Sequence, residues 1–186
     1  MTAAEMIKRY NVRLVTEAEK KADKLTGDFI FSREAKRIKA DGQFEEFKAM
    51  KSEMVTILKA QEAEAKQAIA DRKAKIAAIS GLKELENAIS AYAEYTEEFT
   101  KMMDDESNDG VNPPVRPIDD IGALKAAYPV AAAYIKAEIW KESTNYAKSG
   151  AGEKALEKII NGEDYKQVIA DMETEWKAYC GKHIWD

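Results

Sequence analysis

Residues 43–79 read QFEEFKAMKSEMVTILKAQEAEAKQAIADRKAKIAAI, 37 positions without a proline or a glycine. Alanine, glutamate, lysine, glutamine and methionine lose little side-chain freedom in a helix. The stretch therefore predicts one helix, about 55 Å long at about 1.5 Å per residue, or one broken only between Lys59 and Ala65. Its apolar stripe runs through Phe47, Met50, Met54, Ile57, Leu58, Gln61, Ala65, Ala68, Ile76 and Ile79. The middle of that stripe is alanine, which allows close helix approach but buries little area.

Ser80-Gly81 interrupts the run, and from Leu82 to Met103 the residues Leu82, Leu85, Ile89, Tyr92, Tyr95, Phe99 and Met102 recur three or four apart. That spacing lines one face of a second helix. The two helices are expected to form an antiparallel hairpin, with Phe44, Phe47, Met50, Tyr92, Tyr95 and Phe99 along its seam. The excess length near Gln43 is left for an N-terminal helix, a second domain or a partner. Upstream, Thr2 and Glu5 have capping-box spacing, so a first helix is expected from Ala3 to Leu25, ended by Gly27. Its inward face would be Met6 or Ile7, Tyr10, Leu14, Ala18 and Leu25. A short helix follows Ser32 and stops at Asp41-Gly42. Downstream, residues 104–120 hold Pro113, Pro114 and Pro117, three of the chain's four prolines, and show no helical period. They predict a linker or a functional loop. Helices resume over Ile121–Ala127, after Pro129 through Tyr134, Ile135, Ile139, Trp140 and Tyr146, over Lys154–Ile160, and from the N-cap Asp164 to Cys180. The expected fold is all-α, a long antiparallel helical hairpin plus a smaller C-terminal helical bundle. Its divisions would be 1–103, a linker at 104–120, and 121–186. The last part carries Trp140, Trp176 and Trp185 and should have the better-packed core.

One cysteine, Cys180, and one histidine, His183, cannot supply a disulfide framework or a multi-ligand zinc site within one chain. No cofactor or metal is expected. The opening Met1-Thr2-Ala3-Ala4-Glu5-Met6 lacks the charged start and apolar run of a signal peptide, and no apolar stretch approaches the roughly 18 residues of a membrane span. A cytoplasmic location is expected.

The net charge of −5 is unevenly spread. Residues 1–80 carry 17 Lys and Arg against 13 Asp and Glu, residues 81–120 carry 3 against 11, and residues 121–186 carry 9 against 10. Glu94, Glu97, Glu98, Asp104, Asp105, Glu106 and Asp109 fall close together, relieved only by Lys101. One reading is a solvated helix end and loop. The other is an acidic face that meets a basic groove on a partner. Asp105, Ser107, Asp109 and Gly110 open with the spacing of an EF-hand loop, yet position twelve is Arg116 where a bidentate glutamate is required. Gly150-Ala151-Gly152-Glu153-Lys154 lacks the spacing, the following Ser or Thr and the preceding strand of a phosphate loop, and reads as a helix junction. Cys180 and His183 are separated by Gly181, which is expected to end the helix, so a nucleophile and base pair is not expected. Arg33, Lys36, Arg37 and Lys39 make the short helix after Ser32 basic, either a solvated face or a contact to nucleic acid or an acidic partner. With no catalytic constellation, the chain is expected not to be an enzyme.

Ala133-Tyr134-Ile135-Lys136-Ala137-Glu138 through Asn145-Tyr146-Ala147-Lys148, then Ile159-Ile160-Asn161-Gly162-Glu163-Asp164-Tyr165 and His183-Ile184-Trp185-Asp186, resemble small accessory proteins of phages and mobile elements. Among these the closest in kind are anti-CRISPR proteins, inhibitors of RNA-guided nucleases. The resemblance covers about the last third of the chain, carries no diagnostic motif and transfers no residue role. It implies a stoichiometric protein-binding inhibitor of a host nucleic-acid-directed effector. Two other functions fit the sequence: a scaffold-like coiled-coil assembly protein, from the long hairpin, and a DNA-binding regulator, from the basic helix. The oligomeric state is left open.

Overall fold

The computed structural model describes residues 1–104, 114–117, 120–143 and 146–183. The all-α expectation holds: the chain is 75% helical, with ten α-helices among the described residues. It divides into two compact units, Met1–Asp71 and Arg72–Asp186. The boundary falls inside a helix, where the sequence had placed it at 104–120.

In the first unit the capping box at Thr2 and Glu5 starts α1 (Ala3–Arg9), with the Glu5 backbone N–H donating to Thr2 Oγ1 at 3.2 Å. The expected helix to Leu25 is not formed. Asn11 turns left-handed at φ 47°, and β-branched Val12 and Val15 flank β1 (Arg13–Leu14). A second capping box, Thr16 with Glu19, restarts the chain as α2 (Glu17–Ala22). The spacing that begins the first helix is thus repeated where it had to be read as a stop. β2 (Ile30–Phe31) pairs antiparallel with β1, Arg13 opposite Phe31 and Leu14 opposite Ile30, so a minimal ladder exists where no sheet was expected. Ser32 caps no helix directly. Its hydroxyl donates to the Tyr10 carbonyl and accepts from Glu34 N–H ahead of α3 (Ala35–Ala40).

The long helix is broken early. α4 (Phe44–Ala49) ends at Met50, with φ −88° and ψ 3°, and α5 (Lys51–Ala77) follows. The break lies nine residues before the window expected for it, and Met50 N–H still donates to Glu46 O at 3.0 Å. It lets Phe44 and Phe47 from α4 and Met54 from α5 converge on one core with Ala3, Met6, Tyr10, Val12 and Ile38.

The second unit begins within α5, whose Ile76, with Ile79 beyond the helix end, packs on its core. Gly81 then turns with φ +72°, and any Cβ there would fall 2.1 Å from the Tyr128 ring. The turn expected at Ser80-Gly81 is present, and α6 (Leu82–Asp104) packs on α7 (Ile121–Ala127) and α8 (Pro129–Glu142). Pro129 sits at the first turn of α8, where its missing N–H costs nothing. A 3₁₀ turn (Ala147–Ser149) leads to α9 (Ala151–Ile160), and α10 (Tyr165–His183) follows. Gly181 does not end α10, which continues to His183. The core joins Leu82 and Leu85 to Ala131, Ala137, Leu156, Ile159, Val168 and Met172. Among the described residues thirteen buried apolar side chains form it, against six in the first unit, in line with the better core expected there.

Candidate binding groove

α8 is the element on which the second unit turns. Its buried side is small: Ala131, Ala133 and Ala137, with Tyr134, face the core. Small residues let α9 approach so closely that a Cβ on Gly152 would lie 2.5 Å from Lys141 N and 2.8 Å from Ala137 O. The glycine pair at 150–152 is the helix junction expected, with Gly152 chosen for contact.

α8 also carries a second apolar stripe. Ala132, Ile135, Ile139 and Trp140 lie at helical spacing on another side and floor an open groove of about 890 Å³. Leu85, Ile89 and Tyr92 of α6 and Ile121 of α7 form one wall, and Tyr165 and Ile169 of α10 the other. A helix apolar on two sides belongs in an interior. Among the described residues no helix covers that other side, and Ile139 is 60% exposed. At one end, Trp140 stacks on Tyr146 with centroids 4.4 Å apart, and Trp176 meets Tyr146 at 4.6 Å and Tyr179 at 5.8 Å.

Lys125, Lys136 and Lys166 also line the groove. Lys136 donates to Glu173 Oε1 at 2.5 Å, which holds the Glu173 carboxyl below its ordinary value, and lies over the Trp140 ring. The lining thus combines aromatic and aliphatic surface with cationic edges, a composition suited to binding and without an acid and base pair converging on one point. Among the described residues no cluster of His, Cys, Asp and Glu could hold a metal ion.

The residues singled out from the sequence lie elsewhere. Glu94, Glu97, Glu98 and Asp104 are exposed on α6, and at about 100° per residue they project from the half of the helix turned away from its apolar stripe. Glu97 pairs with Lys101 at 2.6 Å, which lowers the Glu97 pKa. Asp105, Glu106 and Asp109, and the EF-hand-like spacing they share with Ser107 and Gly110, lie outside the described residues. Arg33, Lys36, Arg37 and Lys39 are exposed in the first unit, beside a concavity of about 350 Å³ lined by Phe31, Ile38, Phe44 and Phe47. Cys180 is half-buried, and the His183 side chain lies outside the described set. Phe44 and Phe47 serve the first unit's core, while Tyr92, Tyr95 and Phe99 follow one another along α6 in the second unit with centroids 5.9 Å apart.

Sequence reasoning placed Ile135, Ile139 and Trp140 on one helix and missed the groove they floor. The signal was available: alanines at 131, 133 and 137 on one side of that helix and large apolar residues on another. No family model, curated protein or solved structure matches the chain. Among the described residues, no helix is long and apolar enough to cross a membrane.

Proposed function

We propose that this chain is a non-enzymatic protein-binding protein that takes a helix of a partner into the groove over α8. The observation that carries the reading is the uncovered second stripe of α8, walled by α6 and α10 and ended by the Trp140, Tyr146 and Trp176 cluster. An apolar, aromatic centre with a charged rim is the anatomy of a protein interface. In the setting implied by the anti-CRISPR resemblance, such binding would make the protein a stoichiometric inhibitor of a nucleic-acid-directed effector. The test is a photo-crosslinking residue at Ile139, with Ile69 on α5, an isolated apolar residue 57% exposed, as control. The expected adduct forms from position 139 only and maps to an amphipathic helical segment of the captured chain. Equal labelling from both positions, or attachment to irregular surface, would remove the groove from the function.

A second reading is favoured by the exposure of Glu94, Glu97, Glu98 and Asp104 on one half of α6. That face would dock on the basic groove of an RNA-guided nuclease. Its association rate should fall as the Debye length shrinks from about 10 Å at ~0.1 M salt to about 3 Å at ~1 M. A Gln/Asn variant of the four with unchanged melting temperature should then inhibit the nuclease less than the wild type, and equal inhibition would exclude the face.

A further inference from the structure

We infer that the helix taken into the groove over α8 is an acidic amphipathic one, about three turns long, whose apolar stripe is flanked on both sides by aspartate or glutamate. The inference rests on the reading of the groove as a helix-binding site and names the chemistry of its occupant.

The length follows from the floor. The lining of α8 runs from Pro129 to Trp140, about 17 Å at about 1.5 Å per residue, which matches three turns of a helix laid along it. The charge follows from the rim. Among the described residues the groove is lined by three charged side chains, Lys125, Lys136 and Lys166, and by no aspartate or glutamate, in a chain whose 34 acidic residues outnumber its 29 lysines and arginines. A second concavity of the same unit, about 750 Å³ at the turn between α5 and α6, carries both signs, Lys73 and Lys83 with Glu84 and Glu86. A rim of one sign is therefore a property of the α8 groove and not of the surface at large.

Two of the three lysines are left for a partner. Lys136 is held by Glu173 and lies over the Trp140 ring. Lys125 and Lys166 are exposed and form no ion pair among the described residues, and the Lys166 ammonium lies 6.0 Å from the centre of the Tyr165 ring. They stand on opposite sides, Lys125 on α7 in the wall shared with α6 and Lys166 on α10 in the other. A helix that covers Ile139 brings its own flanks to these two ammonium groups. Apolar flanks would strip their water without replacing it, and basic flanks would repel them, whereas a carboxylate on each flank pairs with both. Rejecting the other two kinds of helix is what makes a rim of one sign selective. The α6 helix of a second copy does not meet this description, since Glu94, Glu97 and Glu98 project away from its apolar stripe.

Two synthetic peptides of about 14 residues test this. Both carry the same leucine stripe at helical spacing, and the positions on either side of it are glutamate in one and lysine in the other. Binding to the full chain is read from the anisotropy of a dye on the peptide. At ~0.1 M salt the glutamate peptide should bind at least about tenfold more tightly, and the preference should shrink toward ~1 M. Lys125→Glu with Lys166→Glu should reverse the preference, and Ile139→Glu should weaken binding of the glutamate peptide at least about tenfold. Should circular dichroism show the double variant unfolded, Lys166→Glu alone, in the first turn of α10 where a carboxylate suits the helix dipole, should at least halve the preference. Equal affinity of the two peptides, or a preference that charge reversal leaves in place, overturns the acidic partner; if Ile139→Glu still weakens both, the helix-binding reading survives. Failure of both peptides to bind at ~1 mM also overturns the inference, and the crosslink from Ile139 then decides the helix-binding reading alone. A wild type that sediments as a dimer and that Ile139→Glu makes monomeric would give the groove to a second copy and overturn the inference as well.

Discussion

Glu19 combines a helix cap with an ion pair. Arg13 donates to both of its oxygens, at 2.7 and 2.5 Å, and the Thr16 backbone N–H and hydroxyl donate at 2.8 and 2.9 Å. These bonds, Arg13's first and Thr16's next, hold the carboxyl at about 2, against an ordinary 4.5. Because the folded value is depressed, the stabilisation is complete above pH 4.5 and is lost as the pH falls through about 2. Between pH ~5.5 and ~2.5 the wild type should therefore lose more stability than Glu19→Gln, read as the shift in urea midpoint of each. Parallel shifts would show that Glu19 is not linked to folding. At Gly152 the argument is steric. The atoms an added Cβ would meet, Lys141 N and Ala137 O, belong to the backbone of α8 and cannot rotate away. Gly152→Ala should cost about 1–3 kcal/mol by forcing α8 and α9 apart, and an unchanged urea midpoint would show slack at that crossing.

At the scale of elements, α5 is the extreme case. Every residue from Lys59 to Asp71 is exposed, so this stretch is held by alanine-rich propensity and pairs such as Glu62 with Lys66 at 2.7 Å, without core contacts. Its amides should exchange through local opening, faster than those of α9, where Ala155, Leu156, Ile159 and Ile160 are buried. Ala68→Gly should lower protection across 59–71 about fivefold, from a cost of about 1 kcal/mol, and leave α9 unchanged. Protection of 59–71 equal to α9 in the wild type would contradict this. The same contrast explains what the sequence made legible. Helices with stops written in local chemistry were found with close boundaries: α6 after Gly81, α7 before Pro129, and α9 before Asn161-Gly162. The break at Met50 was not legible, because methionine is a good helix former and the kink follows from where Phe44 and Met54 must meet. The β1 and β2 ladder was hidden likewise, since two residues per strand leave no period to read. The groove was missed because periodicity reports which residues share a face and not whether a neighbour arrives to cover it.

The molecule as a whole has two cores and not one, joined within a helix. Buried residues of the first unit come from residues 3–54 and those of the second from residues 82–172, with no member shared. Cooperativity comes from a common core, and residues 59–71, at the end of the first unit's share of α5, are all exposed. The larger core should outlast the smaller one, and the chain carries its own reporter of this. All three tryptophans, Trp140, Trp176 and Trp185, belong to the second unit, so tryptophan emission follows that unit alone while far-ultraviolet circular dichroism sums both. In a urea titration the dichroism should begin to fall at lower denaturant than the emission, as the Tyr10 and Met54 core opens while Trp140 and Trp176 remain packed. Tyr10→Ala removes a fully buried ring and its hydroxyl's bond to Asp41 at 2.9 Å, and should cost about 3–5 kcal/mol. It should move the early dichroism loss to lower urea and leave the emission midpoint in place. Coincident wild-type curves, or an emission midpoint that follows Tyr10→Ala, would mean that the two cores fold as one.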